Sequence, residues 1–74
     1  MIITTVIDTI NDKDLISREM RDEIDDIWDR YELENGFHFP INKFYIEEFG
    51  ETIPNIVKFM EENDIRDCLI RLHW

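Results

Sequence analysis

Two histidines, one cysteine, one serine and eighteen carboxylates are the side chains best able to do chemistry among these 74 residues. His38 and His73 stand 35 positions apart, and neither shares a short motif with Cys68. Nucleophilic catalysis asks for a Cys or Ser with a base beside it, and a zinc site asks for several ligands at tight spacing; the sequence spells out neither pattern. Cys68 falls on an apolar stripe, the usual place of a small core residue. Both glycines are isolated, which argues against a phosphate-cradling loop. The Asp-rich stretch lacks the loop spacing and the glycine of an EF-hand. A carboxylate pair for glycosidic chemistry would need a concave pocket, and so small a core leaves little room for one. The expectation is a non-catalytic protein with no cofactor and no metal.

The carboxylates themselves carry a clearer pattern. In "RDEIDDIWDR", residues 21–30, charged side chains surround a Trp and two Ile. A helix sends Ile24, Ile27, Trp28 and Tyr31 to one side and Asp22, Asp25, Asp26 and Asp29 to the other, because both sets follow i, i+3, i+4, i+7 spacing. The apolar side has a core to enter. The four aspartates point outward and are the candidate partner-binding residues. Eighteen acidic against eight basic residues give a net charge of −10. Such a field repels phosphate backbones and anionic membranes, so direct nucleic-acid or lipid binding is not expected. It suits a basic protein surface, including one that normally grips nucleic acid. Acidity that merely keeps a small protein soluble is the plainer alternative.

The elements that must position these residues fit one small domain, residues 1–74, with 43% hydrophobic residues spread along the chain. Ile2, Ile3, Val6, Ile7 and Ile10 follow helical spacing and predict a first helix over residues 2–10. Asp14 is a candidate cap for a second helix from Leu15 to Glu34, with Gly36 just past its end. "FHFPINKFYIEEF" is too irregular for a long element, with one helical turn near residues 42–48. Thr52 and Pro54 open a further helix with Ile53, Ile56, Val57 and Met60 as its stripe. Ile65, Cys68, Leu69 and Leu72 match a last helix capped by Asp64, although "CLIRLHW" alone also reads as a strand. The sum is an all-α fold, a small bundle of three or four helices. Its expected core gathers Ile3, Ile7, Ile24, Ile27, Trp28, Tyr31, Phe39, Phe49, Ile56, Val57 and Leu69.

A lone cysteine rules out an internal disulfide and suits a reducing compartment. "MIITTVIDTI" has neither the basic start nor the cleavage site of a signal peptide. No apolar run approaches the roughly 20 residues that span a bilayer. A cytoplasmic location is expected.

Residues 31–63 also carry a family pattern. "GFHFPINKFYIEEFGETIPNIVKFMEEN" resembles the second half of acyl, peptidyl and D-alanyl carrier proteins: Phe37, Phe39 and Pro40, then Glu47, Glu48 and Phe49, then Thr52, Ile56 and Val57. The resemblance implies a small acidic four-helix bundle whose second helix docks on basic patches of partner enzymes. It also implies phosphopantetheine on a serine in an Asp-Ser-Leu motif. That tripeptide is absent here; Ser17, in "DLISREM", is the sole candidate attachment residue and is expected to be unmodified. Two interaction readings follow. One is a carrier-like protein, intact or degenerate, docking an acidic helix on a basic partner. The other is a phage-type mimic of nucleic acid that inhibits a restriction or CRISPR effector.

Overall fold

The computed structural model describes residues 4–73, which form three helices and a three-stranded sheet. In chain order they are β1 (Thr5–Asp8), α1 (Arg18–Tyr31), β2 (His38–Ile41), α2 (Lys43–Phe49), α3 (Pro54–Glu62) and β3 (Cys68–Arg71), with single 3-10 turns at Lys13–Leu15 and Gly50–Thr52. The expected all-α bundle is therefore corrected to a mixed α/β fold. The strand order is β1-β3-β2, so β3 is central, parallel to β1 and antiparallel to β2.

Both terminal segments that helical spacing assigned to helices are strands. Val6 and Ile10, two of the three described members of the supposed first stripe, are 50% and 48% exposed, and only Ile7 turns inward. The β-branched run Thr5-Val6-Ile7 favours extended backbone, and Asp8 ends it by accepting the Ile10 and Asn11 N–H groups at 2.8 and 3.0 Å. Along β3 the residues facing the core alternate: Cys68, Ile70 and Leu72 are buried, whereas Leu69 and Arg71 are half-buried on the opposite side. Asp64 does not cap a last helix. It lies beyond the end of α3 with a left-handed φ of 53°, and the next residue, Ile65, returns its N–H to Met60 O.

All three helices lie against one face of the sheet. Met20, Ile24 and Ile27 of α1 and Ile56 and Met60 of α3 are buried with Ile7, Ile41, Ile53, Cys68, Ile70 and Leu72; Tyr45 and Ile46 of α2 pack against this cluster. Of the expected core, Ile7, Ile24, Ile27 and Ile56 are buried; Trp28, Phe39, Val57 and Leu69 are half-buried. Tyr31 and Phe49 are 40% and 38% exposed, a correction, because each sits at the last turn of its helix, where the core thins. Ile3 lies outside the described residues. Pro40 is tolerated because β2 is an edge strand and its missing N–H would have faced outward.

Candidate functional site: the outer face of α1

The long helix forms where the sequence places it, but shorter. Ser17, not Asp14, is the cap: its Oγ accepts the Met20 N–H at 3.2 Å. At the other end Glu32 takes the left-handed position at φ 50°, four residues before Gly36, which instead turns the chain into β2 with φ 87°. Trp28 packs at the flank of the stripe and donates its Nε1–H to Leu33 O at 2.9 Å. With Met20, Ile24 and Ile27 fixed inward, Asp22, Asp25, Asp26 and Asp29 are all exposed on the far side. At about 1.5 Å per residue the row spans roughly 10 Å of helix.

The row is only half neutralised. Arg21 Nε lies 3.2 Å from Asp25 and Arg30 Nη2 2.9 Å from Asp26, both at i, i+4 and both open to solvent. Asp22 and Asp29 make no ion pair among the described residues. Exposed pairs of this sort contribute at most a few tenths of a kcal/mol, about 0.3–0.5 at this spacing. The row is thus a field directed outward rather than a brace.

Two polar constellations escape the sequence pattern. Glu23, on the side of α1 next to the stripe, reaches α3 and accepts the N–H groups of Asn55 (3.0 Å) and Ile56 (2.9 Å) and the Asn55 side-chain amide (2.6 Å). Pro54 opens α3 without a donor, so this carboxylate serves the two free donors that follow it. Thr52, expected as the cap, instead donates to Phe49 O at 2.7 Å. Glu23 has an acidic signature identical to its neighbours, and only the fold separates it from them.

The second constellation joins the ends of β1 and β3. Asp8 is 5% exposed, with Oδ2 3.2 Å from His73 Nδ1 and 3.9 Å from Arg71 Nε. The N–H of Asn11 and then that of Ile10 lower the Asp8 pKa most; burial opposes them, and the charges of His73 and Arg71 add to the lowering. Thr9 Oγ1 donates to His73 O at 3.0 Å and accepts the His73 N–H at 2.7 Å. This cluster ties two strand ends together and turns its charges on one another.

The remaining reactive groups stay apart. Cys68 is buried, and burial pushes its thiol up to about 11, so little thiolate exists near neutrality. Two shallow grooves of about 240 and 350 Å³ flank Ser17, and neither is lined by a histidine or cysteine. Among the described residues no group of three or more His, Cys, Asp or Glu is placed to hold a metal ion, and no helix is long and apolar enough to cross a membrane. Compared with models of known protein families, with curated proteins and with solved structures, the chain finds no match in any of the three.

Proposed function

We propose that this chain is a non-catalytic interaction protein that docks the outer face of α1 on a basic protein surface. The observation that carries the reading is the exposure of Asp22, Asp25, Asp26 and Asp29 on one side of a helix whose other side is the core. Like charges at these spacings repel by a few tenths of a kcal/mol per pair. Arg21 and Arg30 offset two of the four and leave the others bare. A partner rich in Lys and Arg relieves that repulsion, and complementary fields speed encounter and exclude wrong partners. The lone buried thiol suits a cytoplasmic setting. The bundle that the carrier resemblance implied is gone, and no prosthetic group enters this reading, in which the Ser17 hydroxyl serves α1 as its cap.

A second reading, imitation of nucleic-acid phosphates, draws on the same row, whose i+3 and i+4 carboxylate pairs are separated by roughly 4.5–6 Å along the helix axis. Capture from a host lysate separates the two. The wild-type chain should retain a partner that a variant with all four aspartates changed to Asn loses, and high salt should weaken the retention. If duplex DNA or RNA then displaces the captured protein, the partner is a nucleic-acid-binding one and the mimic reading holds. Equal capture by wild type and variant would end both.

A further inference from the structure

The short helix α2 is built unlike the other two. None of its seven residues is fully buried, yet three of them are aromatic. Asn42 starts it by accepting the Tyr45 N–H at 3.0 Å. Tyr45 and Phe49 lie toward the protein, in a ladder that runs from Tyr31 to Phe39 (centroids 5.5 Å), to Tyr45 (5.3 Å) and on to Phe49 (5.1 Å). Tyr45 OH is buried, and burial first, then the neighbouring Tyr31 hydroxyl, raises its pKa to about 12. Tyr31 is the last residue of α1, so the ladder starts at the C-terminal end of that helix. Phe44 points the other way and is 75% exposed. Its i+3 and i+4 neighbours are Glu47 and Glu48, both exposed.

An exposed Phe with two exposed carboxylates at i+3 and i+4 has the arrangement of an interface anchor with a charged rim. We infer that Phe44 anchors a basic amphipathic helix of a partner protein, with its arginines over Glu47 and Glu48. Charge selects this occupant. A second copy in a two-fold contact would set Glu47 and Glu48 against themselves on a chain of net charge −10. Anionic lipid and nucleic acid are repelled by the same field, whereas guanidinium groups are attracted both to the carboxylates and to the aromatic faces. The inference rests on the docking reading above and adds to it an apolar requirement on the partner.

The test uses two labelled synthetic peptides of equal length and charge, one with Leu and Arg at amphipathic helical spacing, the other with every Leu replaced by Gln. The wild-type chain should bind the Leu peptide about tenfold or more tightly than the Gln peptide. Phe44→Gln, which removes a mostly exposed side chain and should melt like wild type, should abolish that preference. The fourfold Asp→Asn variant should weaken both peptides and keep the preference. Equal, salt-sensitive binding of the two peptides by wild type would overturn the anchor while leaving acidic docking intact. A preference that survives Phe44→Gln would also overturn it, as would no binding of either peptide or a dimer that Phe44→Gln dissociates.

Discussion

The two outward surfaces of this molecule treat charge in opposite ways. On α1 the four aspartates stand exposed, and Asp22 and Asp29 make no ion pair among the described residues. On the face of the sheet opposite the helices, Asp8, Arg71 and His73 close on one another at the strand ends, beside Val6, Leu69, Pro40 and His38. One surface holds charge that the fold leaves unused; the other uses its charge to hold strands together. Unused like charge opposes folding slightly, so its presence in a row favours a role outside the fold. The sheet cluster needs no such role.

The largest effect that bears on this contrast lies in β3. Ile70→Ala should cost about 3 kcal/mol in urea unfolding, because Ile70 is buried in the central strand. Leu69→Ala, on the uncovered face, should cost about 1 kcal/mol or less. A reversal of that order would restore the helical phase for this segment. Next comes Glu23→Ala, which strips three hydrogen bonds from the start of α3. A loss of about 1–2 kcal/mol is expected; no loss would reduce Glu23 to one more exposed carboxylate. Changing Asp22, Asp25, Asp26 and Asp29 together to Asn should move stability by no more than about 0.5 kcal/mol, since two weak ion pairs are lost while repulsion is relieved. A large drop would make the row structural.

The smallest effect is confined to acid. Asp8 has a folded pKa below its ordinary value of 3.8, so its ionised form stabilises the fold above that pH. The contribution fades as pH falls through the lowered value. Wild type should therefore hold an advantage over Asp8→Asn above pH 3.8 that narrows below it, read from unfolding midpoints across the acid range. An advantage that persists unchanged in acid would show that the Asp8 charge is idle.

How much of the molecule is legible before folding depends on element length and on separation along the chain. Over the 14 residues of α1 only one period fits the apolar positions, and the inward and outward faces follow from it. A four-residue strand is too short to single out a period. Cys68 and Leu72, four apart, share a side in a helix and in a strand alike. Only Leu69 against Ile70 distinguishes the two, and both are large and apolar. The same ambiguity makes residues 2–10 read as a helix. Within the site, the aspartate row is a local pattern and can be read directly. The Glu23 cap joins residues 32 apart and the Thr9–His73 bonds residues 64 apart, so neither has a local signature. Helical spacing assigns Tyr31 to the core and its aromatic ring assigns Phe49, yet the helix ends leave both half-open.

Backbone amide shifts, followed by NMR while the basic amphipathic peptide is titrated in, compare the two surfaces in one experiment. Docking on α1 predicts that the amides of Asp22, Asp25, Asp26 and Asp29 move together with those of Phe44 to Phe49, and that added salt reverses the change. The amides of Val6, Leu69 and Arg71 should stay in place. Shifts gathered on those three residues, with α1 silent, would contradict the account.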